Sequence, residues 1–93
     1  MLLEIVSPEA TLFKGQVTSV SVPGINGEFQ MLNNHAPIVS LLTKGNIKIV
    51  GQNLKFDPQF ETKFDKVDAN TYYLPIESGT LELKENRINI LAN

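Results

Sequence analysis

The only histidine of the chain, His35, stands in the run Asn33-Asn34-His35-Ala36-Pro37. Histidine is the side chain best suited to act as a base near neutral pH. As the base of a triad it needs an orienting acid and a nucleophile. Ser19, Ser21, Ser40 and Ser78 are available as nucleophiles, yet none stands in a nucleophile-elbow pattern. His35 therefore reads as a turn or interface residue. A small hydrolase would need His35 hydrogen-bonded to a carboxylate in a cleft.

Other chemistries lack their residues. A transition-metal site needs more nitrogen or sulfur ligands than one histidine and no cysteine supply. The carboxylates Glu28, Asp57, Asp65, Asp68 and Glu77 are scattered and follow no calcium-loop spacing. Gly24 to Gly27 has neither a Gly-Lys-Ser/Thr ending nor a following helix, so it reads as a hairpin turn, not a phosphate loop. Phe56, Phe60, Phe64, Tyr72 and Tyr73 have the right chemistry for a stacking platform. Aromatic residues in strands more often form core or cross-strand pairs, and no basic residues interleave densely enough to favour nucleic acid. No catalytic, cofactor-binding or metal-binding residue is expected. A sugar- or peptide-binding module, with a concave face of Phe60, Phe64, Tyr72 and Tyr73, is the alternative kept open.

The chain has 93 residues, enough for one domain (1–93) and not two. With 42% hydrophobic and 19% charged residues, it is too apolar to stay disordered. Eight basic and ten acidic residues give a net charge of −2, with the signs interspersed. That pattern lacks the basic stripe of a nucleic-acid binder or a polybasic membrane anchor. No apolar run approaches the ~20 residues that span a bilayer, and Met1-Leu2-Leu3-Glu4 has no basic n-region of a signal peptide. A cytosolic location is expected.

The elements that must position these residues are short strands. Leu3 to Ser7 alternates, and Pro8 ends it. Thr11 to Phe13 is a short strand closed by Lys14-Gly15. In Gln16 to Val22, Val20 and Val22 share a face and Val17 takes the other, which predicts a bulge or two-sided burial near Thr18. Asn26-Gly27 predicts a two-residue hairpin turn, since both residues tolerate positive φ. Glu28 to Leu32 returns from it, with Phe29 and Met31 on one face and Glu28 and Gln30 on the other. After a loop over Asn33 to Pro37, Ile38 to Leu42 is too apolar to be half exposed and predicts a central strand buried on both faces. Asn46 to Val50 turns Ile47 and Ile49 inward.

The pattern weakens from Gly51 to Asn70. A strand is expected over Asn53 to Phe56. Another is favoured over Phe60 to Phe64, where aromatics four apart also suit one helical turn. Tyr72–Ile76, Thr80–Lys84 and Arg87–Leu91 are strands, the last with Ile88 and Ile90 inward. Apolar residues nowhere keep helical spacing for ten residues. The fold expected is all-β: one sandwich of about 8–10 short, mostly antiparallel strands.

Three stretches carry a family resemblance. Leu3 to Gly15, Val17 to Ile38 and Gly45 to Ile49, with Ser78 to Asn93, resemble the N-terminal β-sandwich domain of the epsilon subunit of F-type ATP synthase. The Val-Pro-Gly, Gly-Glu-Phe and Asn-His-Ala-Pro elements, in this order and spacing, are the specific part. The resemblance covers Leu3–Val50 well and resumes at Tyr72–Ala92. Gln30 and Asn33 stand where the family often has Gly and Pro, and Gly51 to Thr71 is longer than the usual connection.

The resemblance implies a non-catalytic rotor subunit at the foot of the central stalk. Such a domain docks the gamma subunit onto the membrane c-ring, so that ion transport is coupled to ATP synthesis. It implies that Glu28, with Asn26 and Gly27, faces the ring, whose loops typically carry arginine. It implies that His35 and Ser40 face gamma. The location implied is peripheral, on the cytoplasmic face of the bacterial inner membrane. Most members continue into a helical hairpin that restrains hydrolysis and in some binds ATP. The sequence ends at Asn93, so coupling without ATP binding is expected, in a naturally short or truncated chain.

Overall fold

A computed structural model describes all 93 residues, which form ten strands and one 3₁₀ turn. In chain order the strands are β1 (Leu2–Val6), β2 (Thr11–Gln16), β3 (Ser19–Gly24), β4 (Gly27–Leu32) and β5 (Ile38–Leu42). They continue with β6 (Gly45–Val50), β7 (Asp65–Asp68), β8 (Thr71–Ile76), β9 (Gly79–Lys84) and β10 (Arg87–Ala92). The strands form one continuous curled sheet, but its continuity at the middle rests on a single bridge, Gly24 with Leu42. On one side of that hinge the order is β2-β1-β10-β9-β5; on the other, β3, β6, β8 and β7 follow, with β4 on the outer side of β3. The curl thus folds the sheet into two facing layers, the sandwich that ten short strands require to bury one face each. Every pairing is antiparallel except β1 with β10, whose register runs from Leu2–Arg87 to Val6–Leu91.

Period-2 patterning sets the core. Leu3, Ile5, Leu81, Leu83, Ile88 and Ile90 face inward from one layer; Val20, Val22, Met31, Ile47, Ile49 and Leu74 do so from the other. Each of these is at most 3% exposed, so together they fill the space between the layers at interior density. Two-sided burial does occur on β3, where Ser19 and Ser21 are buried on the face opposite Val20 and Val22. Strand β3 lies between β4 and β6, and this double flanking covers its outer side. The expected bulge near Thr18 is a strand start instead. The Val17 N–H donates to Met1 O, and the Thr18 N–H donates to Val50 O.

The first hairpin turn is one residue earlier than the sequence suggested. Gly24 pairs with Gly27, so Ile25 and Asn26 form the two-residue tip, and only Gly27 has positive φ, at +120°. Strand β3 extends this far because Gly24 has no side chain. A Cβ there would lie 2.9 Å from Gly27 O and 2.9 Å from the Phe29 ring. Similarly, β2 does not stop at Phe13 but runs to Gln16, carried by pairing along β1.

Three expectations fail. Strand β5 is not buried on both faces: Val39 is 78% exposed and Leu41 57%. It pairs with β9 in the outer part of its layer, and one of its faces looks out of the sandwich. Asn53–Phe56 forms no strand, and Phe60–Phe64 contains a 3₁₀ turn over Glu61–Lys63. Both follow from aromatic packing. Phe56 lies 4.6 Å from Phe64, 5.2 Å from Phe13 and 4.4 Å from Tyr72, centroid to centroid. Gathering rings from separate segments into one tilted cluster (4.5–7 Å is the favoured range) bends the connection inward. The chain then re-emerges as β7, an edge strand with all four residues exposed.

Candidate docking surfaces

Glu28, Asn26 and Gly27 lie together at the β3–β4 turn, and all three are exposed. Glu28 pairs across the ladder with Pro23. Strand β4 holds the turn out from the body, since Phe29 and Met31 anchor its inner face while Glu28 and Gln30 look outward. Glu28 is thus the carboxylate of an exposed tip, a geometry suited to a charge-assisted bond with a cation on another molecule.

His35 lies beyond the other end of β4. From Glu28 to Leu32 the strand alone spans roughly 14 Å. The two sets of residues therefore sit on separate parts of the surface. His35 is half-buried, its N–H donates to Leu32 O, and its ring Nδ1 lies 2.6 Å from Ala36 O. That contact puts the Nδ1 proton on a backbone carbonyl, not on an orienting carboxylate. None of the serines is bonded to it. Ser19 and Ser21 are inside β3, Ser40 Oγ donates to Leu41 O at 3.0 Å, and Ser78 Oγ accepts from Asn93 Nδ2 at 3.3 Å. The constellation a hydrolase would need is not brought together.

The loop that holds His35 is locked by asparagines. Asn86 Nδ2 donates to Asn33 Oδ1 at 2.8 Å, and Asn86 Oδ1 accepts from the Asn34 N–H at 2.8 Å. Asn33 Oδ1 also accepts from the Met1 ammonium at 3.3 Å. Asn34 and Asn86 both have positive φ, 65° and 62°, a conformation asparagine tolerates better than most residues. This clasp ties the β4–β5 loop to the β9–β10 turn.

Ser40 sits on the same side of β5 as Ile38 and Leu42 and is half-buried. The outward side belongs to Val39 and Leu41, which the sequence reading took for core. Cross-strand register extends each into a row. Leu41 is opposite Thr80, which is opposite Leu91, which is opposite Val6. Val39 leads in the same way to Glu82, Asn89 and Glu4. Lys84 and Arg87 form the next pair along. The layer's outer face is thus banded: an apolar row, an acidic row, then a basic pair. Beside the apolar row, a groove of about 550 Å³ is lined by Ile25, Leu41, Leu91 and Pro8, among others. The Ile25 N–H donates to Leu41 O at 3.2 Å, so the exposed turn and the apolar row adjoin. Isolated exposed apolar residues are ordinary, but a cluster of them, 57–60% exposed at Ile25, Leu41 and Leu91, makes this face a candidate interaction surface. A run of five residues with apolar side chains on both parities, in a small antiparallel sheet, was the signal available for it.

The aromatic residues do not form an open platform. Phe64 is buried, and Phe56, Phe60 and Tyr72 pack against the core.

The model of the ATP synthase delta/epsilon chain β-sandwich domain matches residues 1–93. The chain belongs to this family. Among curated relatives, the ATP synthase epsilon chain of Leptospira interrogans is 37% identical over 92 residues, covering 98% of this chain and 59% of the relative. That of Campylobacter jejuni is 35% identical over 89 residues, covering 96% and 57%. The chain therefore spans about three-fifths of the length of these relatives. A structural neighbour comes from the central stalk and c-ring of the Tetrahymena thermophila mitochondrial ATP synthase, with a TM-score of 0.65 at 16% identity over 99% of this chain and 62% of that one. That likeness establishes the fold. In this member of the delta/epsilon family an acidic tip adjoins an apolar, charge-banded face.

Proposed function

We propose that this domain is a rotor-coupling module of an F-type ATP synthase, joining the gamma subunit to the membrane c-ring at its cytoplasmic face, and that it carries out no chemistry itself. The observation that carries the reading is that a chain of this family presents two exposed features, the acidic tip at Glu28 and the apolar, charge-banded outer face of β5, β9 and β10, which adjoin through Ile25 and Leu41. The Asn26-Gly27-Glu28 turn is the ring-side contact, where Glu28 meets a guanidinium. The gamma-side contact comprises His35 and the outward residues Val39, Leu41 and Leu91, with Ser40 on the half-buried side of the same strand supporting it. An interface of this kind needs a desolvated apolar centre with charged margins, and the banding of β5, β9 and β10 supports that layout.

Two substitutions separate the surfaces. Losing one partner of a desolvated charge pair costs on the order of 2–5 kcal/mol. Glu28→Ala is expected to weaken ring association while leaving gamma binding intact. Leu41→Lys is expected to do the reverse, since it puts a charge into the apolar row. Pull-down of each partner by the purified variants reads both effects. If Glu28→Ala left ring association and coupled ATP synthesis unchanged, the ring-side assignment would fail.

A further inference from the structure

We infer that Asn26 is a site of spontaneous covalent modification, in which the Gly27 backbone nitrogen displaces the side-chain amide as ammonia. Asn26 is the only asparagine of the chain followed by glycine. It occupies the tip of the β3–β4 turn and is exposed. The side-chain amides of Asn33, Asn86 and Asn93 are held in hydrogen bonds of 2.8–3.3 Å; that of Asn26 has no such partner. Gly27 brings no Cβ, and the place where one would stand has no atom within 4 Å. Gly27 thus brings no side chain of its own to hinder its nitrogen from closing a five-membered ring onto Asn26 Cγ.

The step balances without any redox partner. Hydroxide takes the proton of Gly27 N, and the nitrogen bonds to Asn26 Cγ. The tetrahedral centre collapses by breaking the Cγ–Nδ2 bond, and the nitrogen leaves as ammonia with a proton from water. The cyclic imide then takes up water. Opening at Cγ gives aspartate; opening at the main-chain carbonyl gives isoaspartate, with the backbone rerouted through the side chain. Either product adds a carboxylate two residues from Glu28 and takes the net charge from −2 to −3. Isoaspartate also lengthens the backbone by one carbon beside the Gly24–Gly27 pair that closes the hairpin.

The chemistry stands independently of the docking reading; only its effect on docking rests on that reading. The folded chain is held in a series of mildly alkaline buffers and then digested with trypsin. Cleavage after Lys14 and Lys44 releases residues 15–44, which contain Asn26, Asn33 and Asn34 together. Fragmentation in the mass spectrometer assigns each amide-to-acid exchange. We expect Asn26 to convert several-fold faster than Asn33 or Asn34, with a rate proportional to hydroxide, and expect Asn26→Gln to remove the fast component. Conversion of Asn26 no faster than Asn33 and Asn34 overturns the inference, as does a fast component that survives Asn26→Gln. Docking is read separately, from ring association of a freshly prepared Asn26→Asp chain.

Discussion

Glu85 and Asn86 hold the backbone at φ 51° and 62°, side by side, between the paired residues Lys84 and Arg87. This is the two-residue hairpin loop with positive φ at both central positions, whose backbone twist matches the strands it joins. Asparagine suits that conformation and glutamate does not. A non-glycine residue in the left-handed region carries strain of about 1–3 kcal/mol. Glu85→Asn is therefore expected to raise the urea midpoint at an unchanged m-value, a stabilisation of up to about 1 kcal/mol. Asn86→Gly in the same loop should instead lose stability, because the Asn86 side chain is the centre of the clasp to Asn33 and Asn34. That Glu85-Asn86 is a turn between two strands is legible in the sequence, and the structure has it there; the positive φ at both positions was not, since Glu-Asn does not match the favoured Asn-Gly. At Asn26-Gly27 the favoured pair was present, yet Gly24 let the ladder run further and moved the tip to Ile25-Asn26. Turn composition signals a hairpin but does not fix its register; the flanking ladder does that. Asp68 shows a second effect at this scale. The Asn70 N–H donates to Asp68 Oδ1 at 2.9 Å, and the neighbouring Thr71 polar groups and the Lys48 charge also favour the carboxylate, so its pKa lies below the ordinary 3.8. A carboxyl more acidic when folded than when unfolded stabilises above its unfolded pKa, and that contribution disappears as pH falls through the folded value. Asp68→Asn is expected to lower the urea midpoint at neutral pH and to match the parent in acid. Equal deficits at both pH values would show the Asp68 charge to be irrelevant.

Among the elements, β4, β6, β8, β9 and β10 follow directly from alternation, because each has one face in the core and one turned away from it, whereas β3 is buried on both. Strand β5 hid its role because both of its faces are mostly apolar: Ile38 and Leu42 face the core, and Val39 and Leu41 face out. Alternation cannot distinguish a strand buried by its own fold from one that keeps an apolar face for a partner. The same ambiguity, in the other direction, affected residues 53–64, where rings from distant segments override strand propensity. Two kinds of substitution separate these roles. Leu41→Lys is expected to change the stability of the free chain by no more than about 0.5 kcal/mol, because the site is on the surface. Phe56→Ala removes the ring that contacts Phe13, Phe64 and Tyr72, and is expected to cost about 3 kcal/mol. Denaturant titration of the free chain gives both numbers. A large loss from Leu41→Lys would mean that β5 serves the fold and not a partner. The proposed contacts at Glu28 and His35 came from the resemblance, and no local pattern around either residue would have separated them from ordinary turn residues.

At the scale of the whole molecule, the sandwich is closed by its ends. Strand β10 lies between β1 and β9, and its parallel register with β1 joins Leu2 to Arg87 and Ile5 to Ile90. No turn can bring these strands together; the whole chain is the loop. By contrast, β3 and β4 pair across a two-residue turn from Gly24–Gly27 to Ser19–Leu32. Loop closure is unfavourable in proportion to the logarithm of its length, so the β3–β4 hairpin can form early, while the β1–β10 seam gains only after most of the chain is ordered. A topology dominated by such distant pairings is expected to fold in milliseconds to seconds. It also assigns opposite kinetic signatures to two fully buried residues, Val22 on β3 and Ile90 on β10. Val22→Ala should slow folding, because its contacts with Phe29 across the hairpin already exist in the transition state. Ile90→Ala should leave the folding rate nearly unchanged and speed unfolding by most of its loss of about 2–5 kcal/mol, because the seam forms last. Stopped-flow folding and unfolding arms for the two variants test this directly. If Ile90→Ala slowed folding as strongly as Val22→Ala, the two ends of the chain would already be joined at the barrier, and the sandwich would have to nucleate across its seam.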